Sequence, residues 1–214
     1  MAVNLSAADV ERLRRGSTAV ATLGPVGTDA HAVADGLFSD VVLTESFAAA
    51  MAYGAQHDTY ALVAAGFLER GEADVVDSWV DLHFRSMDRM LLATIWESST
   101  KTMCIATNMR RVDTLDDVRR IAIHPATAVF ARKYAPQASI RYANAKPIAV
   151  EWADQGEVDA CVGSLDVVRK AANLVVQEVF TPTMVWCLYQ PRAWGQRGPR
   201  DPEPTGPPRS GALH

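Results

Sequence analysis

The feature that most constrains this chain is a recurring order along it. A short apolar run is followed by a turn of small or capping residues, and then by a stretch that favours helix. Apolar runs at 18–23, 41–43, 60–64, 90–96, 102–107, 121–123, 140–142, 160–162, 175–180 and 184–189 read as strands. The stretches 29–38, 47–55, 125–134, 146–155 and 165–173 read as helices. Thr44 or Ser46, Thr114, Asn144 and Ser164 are placed to cap, while Pro125 and Pro147 suit a first helical turn. The stretch 72–89 fits a helix only loosely, through Val75, Val76, Trp79, Val80 and Leu82. Strands alternating with helices predict an α/β fold built on parallel sheets.

The chain has 214 residues, of which 21 are Lys or Arg and 25 Asp or Glu, a net charge of −4. A protein that coats nucleic acid carries a basic surplus to neutralise phosphates, so a nucleic-acid partner is not expected. No apolar run approaches the ~20 residues that span a bilayer, so no membrane partner is expected either. The first residues show neither a basic start nor an apolar core of the signal-peptide kind, and a cytoplasmic location is expected. Cys104, Cys161 and Cys187 each lie among apolar residues and read as buried thiols. His31, His57, His83, His124 and His214 are too scattered for a zinc site, so no metal is predicted. Residues 191–214 hold six of the eleven prolines and four of the thirteen glycines, without apolar periodicity. They are expected to form a disordered tail behind a folded body of 1–190.

The helix starts matter most for function. Gly27-Thr28, Pro125-Ala126-Thr127, Asn144-Ala145 and Gly163-Ser164 each stand between a strand and a helix. In an open parallel sheet such starts face one crevice, where free N–H groups and the helix dipole favour anions. The same residues are also what any α/β protein uses to cap helices, so the pattern alone predicts only a two-lobed α/β binding fold.

Thr22-Leu23-Gly24-Pro25-Val26-Gly27-Thr28, with His31 and Ala34 following, resembles the Gly-Pro-x-Gly-Thr-(Phe/Tyr)-Ser segment of the prephenate dehydratases, although Asp29-Ala30 replace its last pair. Further segments match that family in the same order. They are Tyr60-Ala61-Leu62-Val63, Ile123-His124-Pro125-Ala126-Thr127-Ala128, Asn144-Ala145-Lys146 through Ala149, and Ala160-Cys161-Val162-Gly163-Ser164. The resemblance implies a two-lobed, type II periplasmic-binding-protein-like fold without a regulatory ACT domain. Lobe one is expected over about 1–107 plus 175–190, and lobe two over about 108–174.

Two departures stand out. The family's Pro-Ile-Glu-Asn-Ser loop is replaced by Ala64-Ala65-Gly66-Phe67-Leu68. Its Thr-Arg-Phe strand, whose threonine is taken as the acid that helps the ring hydroxyl leave, is replaced by Met184-Val185-Trp186. Met184 cannot donate a proton, and Val185 cannot pair with a carboxylate. Thr183 is one residue out of register, which puts a strand side chain on the opposite face. These departures are similar to the prephenate decarboxylases of bacilysin-type antibiotic pathways, which remove the ring carboxylate without aromatising the ring.

The resemblance implies a cofactor-free lyase acting on prephenate or a related keto acid, and a homodimer is compatible with it. The implied substrate-binding residues are Gly27, Thr28, His124, Ala126, Thr127, Ala145, Ser164, Met184 and Trp186. His83 and Arg85 are candidates for catalysis, one as an acid and the other as a carboxylate partner. Each has a plainer reading: Thr28 and Ser164 as caps, His124 as a positioning residue, Trp186 as core, His83 and Arg85 as a solvated helix face. Two other functions stay open, a dehydratase with Thr183 as a displaced acid and a non-catalytic module that closes on a small anion.

Overall fold

The computed structural model describes residues 5–71, 74–143 and 145–196. The expected cap Asn144 and the tail residues 197–214 lie outside the described residues.

The chain opens with a helix that the apolar periodicity does not predict, α1 (Ala7–Gly16). Its signal is a capping box: the Ser6 hydroxyl accepts from the Asp9 N–H, and the Asp9 carboxylate accepts from the Ser6 N–H. The alternation then runs as expected through β1 (Ala19–Leu23), α2 (Asp29–Leu37), β2 (Asp40–Thr44), α3 (Phe47–His57) and β3 (Tyr60–Ala64). The stretch read as a loose helix is instead a short hairpin, β4 (Leu68–Arg70) and β5 (Val75–Ser78), leading into α4 (Trp79–Ser86). The Ser78 hydroxyl accepts from the Asp81 N–H and so starts α4 four residues after Val75. Strand β6 (Met90–Ser99) completes this part of the chain.

The second part holds β7 (Met103–Asn108), β8 (Arg120–Ile123), α5 (Ala128–Tyr134), β9 (Ser139–Tyr142), α6 (Lys146–Asp154), β10 (Ala160–Ser164), α7 (Leu165–Val168) and β11 (Leu174–Phe180). Helix α7 is one turn, shorter than its sequence suggests. The chain leaves it toward Asn173, whose N–H donates to the Asp154 carboxylate at 2.8 Å and fixes the entry to β11. The last strand is β12 (Thr183–Pro191).

Two five-stranded sheets result, in the orders β2-β1-β3-β12-β6 and β11-β7-β10-β8-β9. Each has three parallel strands, then one antiparallel strand, then an edge strand. The antiparallel member is in each case the strand that arrives from the other lobe. All five residues of β3 and of β10 are buried, which explains why they read as unbroken apolar runs.

The lobe boundaries differ from the sequence expectation. Strand β7 and strand β11, both assigned to lobe one, pair with each other, and β7 pairs with β10, all inside lobe two. The crossings therefore fall at 100–102 and 181–182. There the Thr100 N–H and hydroxyl both donate to the Pro182 carbonyl, at 2.9 and 3.1 Å, tying the two crossing strands into one hinge. Pairing partners of an all-apolar strand are set by long-range packing, which local pattern does not encode.

The expected tail also begins too early. Pro191 is the last residue of β12, and Arg192–Gln196 form a 3₁₀ turn. Trp194 packs edge-on to Tyr60 with ring centroids 5.0 Å apart, and its Nε1 donates to the Asp58 carboxylate. One aromatic side chain thus anchors a segment that composition alone marks as unstructured.

Cys104, Cys161 and Cys187 are buried free thiols, as their apolar neighbours predict. Burial pushes Cys104 and Cys187 up to about 11 and raises Cys161 as well, so none is a thiolate at neutral pH.

Candidate functional site

The carboxyl ends of the parallel strands in both sheets face the hinge, and the segments after them meet there. From lobe one comes the turn after β1, in which Gly27 holds φ +90°. That value is in the left-handed region that glycine tolerates and other residues resist. Thr28 then caps α2, and its hydroxyl is used on both sides. It accepts from the His31 N–H at 3.1 Å and donates to the Leu23 carbonyl at 3.2 Å.

Lobe two contributes the segment after β8. His124 Nδ1 accepts from the Ala126 N–H at 3.2 Å, and the buried Thr127 donates its hydroxyl to the His124 carbonyl at 2.7 Å. This start is closed on itself, with the Ala126 N–H held by the histidine rather than offered outward. Burial, reinforced by the nearby Lys146 charge, pushes His124 down to about 4. It is therefore a neutral hydrogen-bond acceptor at physiological pH, which fits a positioning role better than that of a proton donor.

The other two lobe-two starts have no side-chain cap, although at the second the Leu165 N–H donates to the Thr102 carbonyl at 2.9 Å. Ala145 precedes α6 and offers no side-chain cap. Ser164 ends β10 at the start of α7, also without a side-chain cap bond. It pairs in register with Met103 at the beginning of β7, beside the hinge.

The sequence reading missed the charged residues that join these segments. The Asp29 carboxylate accepts from the Lys101 backbone N–H through Oδ1 at 3.0 Å and from Lys146 Nζ through Oδ2 at 3.2 Å. Lys101 Nζ donates to the Gly27 carbonyl at 2.6 Å. Lys146 Nζ also lies 3.9 Å from Met103 Sδ. Asp29 begins α2, Lys101 is in the hinge and Lys146 begins α6, so this cluster spans both lobes and the connection between them. A signal was available: an acidic residue directly after a Gly-Thr helix start, and a lysine directly before Pro147 at another start. A cavity of about 350 Å³ adjoins the hinge side, lined by Lys101, Thr102, Leu165, Asp166 and Arg169. A second, of about 320 Å³, lies away from the hinge between α1 and β6; two of its lining residues, Asp9 and Arg12, pair with each other.

Strand β12 enters this region with Thr183, Met184 and Val185. Met184 is half-buried against Gly66, where an added Cβ would stand 3.0 Å from Sδ, so a side chain there would push the methionine aside. The Thr183 hydroxyl donates to the Glu97 carboxylate on the neighbouring edge strand. Trp186, expected to wall the substrate ring, is instead 2% exposed in the lobe-one core, with Nε1 donating to the Ser98 hydroxyl at 3.0 Å. Two residues along a strand restores the same face, but it also carries the side chain away from the strand's end and under the sheet's covering helices.

His83 and Arg85 are not brought to the hinge. His83 Nδ1 shares a hydrogen bond of 3.0 Å with the Tyr189 hydroxyl, which also accepts from Trp79 Nε1 at 3.0 Å. Tyr189 is five residues beyond Met184, about 17 Å at the rise of an extended strand. Burial, with Cys187 nearby, pushes Tyr189 up to about 12, so its hydroxyl stays protonated. Arg85 forms a two-pronged pair with Asp77 at 3.0 and 2.8 Å within lobe one. In the structure the His83 ring is joined to β12 through Tyr189, and Arg85 to the hairpin through Asp77.

Among the described residues no group of three His, Cys, Asp or Glu is arranged to hold a metal, and no helix is long and apolar enough to cross a bilayer.

No family profile matches this chain, and no curated protein does. Solved structures do. A prephenate dehydratase from Arthrobacter aurescens, in complex with L-Phe, matches 80% of this chain at 13% identity and a TM-score of 0.50. This chain covers 59% of that one. The periplasmic VFT2 domain of Bordetella pertussis BvgS matches 88% at 14% identity and a TM-score of 0.50, with 87% of that domain covered. A double mutant of the same domain matches 90% at 15% identity and a TM-score of 0.51. Identities this low speak for architecture alone, and a prephenate dehydratase and a periplasmic VFT2 domain share it equally. The chain has the two-lobed, type II periplasmic-binding-like α/β fold.

Proposed function

We propose that the inter-lobe cleft binds a small carboxylic acid and that the chain is a cofactor-free prephenate decarboxylase, a lyase that leaves the ring non-aromatic. The observation that carries this reading is the chemistry at the start of β12. Met184 and Val185 offer no proton, and the Thr183 hydroxyl is donated to Glu97. The dehydratase alternative, which needs Thr183 as a displaced acid, is thereby weakened.

In the proposed reaction the substrate dianion is held by the Lys146 and Lys101 ammonium groups and the Ser164 hydroxyl. The bond from the ring to its carboxylate breaks and CO₂ leaves. The electron pair moves into the diene, and a distant ring carbon takes one proton from solvent water. The C4 hydroxyl keeps its bond because no acid assists its departure. Dehydration would instead expel hydroxide along with CO₂ and give phenylpyruvate, the aromatic sink. Withholding a positioned acid is what separates the two outcomes.

The purified chain, given prephenate at mildly basic pH without added cofactor, should release CO₂ and form a dihydro-4-hydroxyphenylpyruvate. Mild base is needed because acid aromatises prephenate without enzyme. Enzyme-dependent phenylpyruvate above the blank would instead establish the dehydratase. Tight binding without turnover would establish the binding module, the role for which a two-lobed domain needs only its hinge.

A further inference from the structure

The Asp29–Lys146 ion pair joins the two lobes, whereas Arg85–Asp77, Arg111–Asp159 and Arg141–Glu157 each lie within one. Its two side chains are 21% and 24% exposed, so water and a ligand can reach them. The pair is also unequal. Asp29 keeps a second bond, from the Lys101 backbone N–H at 3.0 Å, and sits in the first turn of α2, where the helix dipole favours a negative charge. Lys146 has three N–H donors; besides Asp29 its ammonium lies 3.9 Å from the weak acceptor Met103 Sδ and near enough to His124 to help keep that imidazole neutral. If the pair parts, Asp29 remains anchored and Lys146 is left with donors to satisfy.

We infer that Asp29 is a built-in competitor for the ligand: its carboxylate holds the Lys146 ammonium that a substrate carboxylate takes on binding. Asp29 thus sets the affinity threshold for anions and selects ligands able to displace it. Weak monocarboxylates fail, while a dianion that engages Lys146 and a second cation at once succeeds. The inference rests on the reading that the cleft takes a carboxylic acid, and it names the residue that tunes that site.

Calorimetric titration of the full chain with prephenate, and separately with malonate as a plain dicarboxylate, tests it. Asp29→Asn should bind about fivefold more tightly than wild type, the worth of one part-exposed ion pair. Asp29→Ser, which also suits a first helical turn, should behave alike and guards against a folding artefact. Lys146→Met should bind at least tenfold more weakly. The double variant should be as weak as Lys146→Met alone, because Asp29 acts through Lys146. A merely structural role for Asp29 gives no gain in affinity. If Lys146→Met weakens binding while both Asp29 variants bind equally or less well, the competition is wrong and the anion site stands. If Lys146→Met binds both probes as wild type does, the anion site and the competition fall together.

Discussion

Thr28 and Ser164 hold equivalent places in the two lobes, each a hydroxyl residue at a helix start after a buried parallel strand. The structure treats them differently. Thr28 has its hydroxyl engaged twice, by the His31 N–H and the Leu23 carbonyl. Ser164 makes no side-chain cap bond, and α7 behind it is a single turn. His124 with Thr127 belongs to the Thr28 type, and Ala145 to the Ser164 type. The difference teaches that a capping residue in sequence marks a helix start but not its availability. A start closed on its own turn contributes to stability, and one without a side-chain cap contributes less.

The closed class can be broken most strongly at His124. An unfolded chain titrates this imidazole near its ordinary value of 6.5, the folded chain at about 4. Because the folded value is depressed, the stability the neutral ring contributes is fully present above about pH 6.5. It falls away as pH drops toward 4, where the unfolded state binds the extra proton. Between pH 7.5 and 5 the loss should be about 2 kcal/mol. Urea unfolding of wild type and His124→Asn at the two pH values measures it. Asparagine keeps an acceptor at the turn but does not titrate, so the variant should lose less by about that amount. Equal losses would mean that His124 is not held neutral by its surroundings.

A smaller effect is expected at Thr28. Thr28→Val keeps the shape and removes both hydroxyl bonds, which should cost about 1–2 kcal/mol in urea unfolding. Prephenate affinity should stay within about twofold of wild type, since a hydroxyl already engaged twice has little to offer a ligand. A tenfold loss of affinity without loss of stability would place Thr28 with the uncapped class.

Much of this layout was legible in the sequence. Strands such as β3 and β10 announce themselves because burial on both faces demands unbroken apolar runs, and Pro125 and Pro147 mark the first turns of lobe two. Which sheet a strand joins was not legible. The six residues of β7 are all buried and would satisfy either core, and only pairing with β10 and β11 decides. Asp29, Lys101 and Lys146 were hidden for a related reason. They are 72 and 117 residues apart from Asp29 in sequence, and a charge is notable only once its partner is known. Trp186 shows the opposite error, a large aromatic near a promising strand end whose hydrogen bond to Ser98 puts it in the core.

The finest distinction lies at Ser164. Its hydroxyl makes no cap bond, so Ser164→Ala costs the helix start nothing and should change stability by less than about 0.5 kcal/mol. Alanine also fits the buried end of β10, being smaller than the serine it replaces. If the uncapped start serves a ligand, the loss appears in binding alone. Prephenate affinity should fall about three- to fivefold, the net worth of one neutral hydrogen bond. Stability and affinity would then separate in opposite senses at the two hydroxyls, Thr28 moving the first and Ser164 the second. If instead Ser164→Ala lowers stability as much as Thr28→Val and leaves affinity untouched, both starts are caps. The ligand must then be held by Lys101 and Lys146 without either hydroxyl.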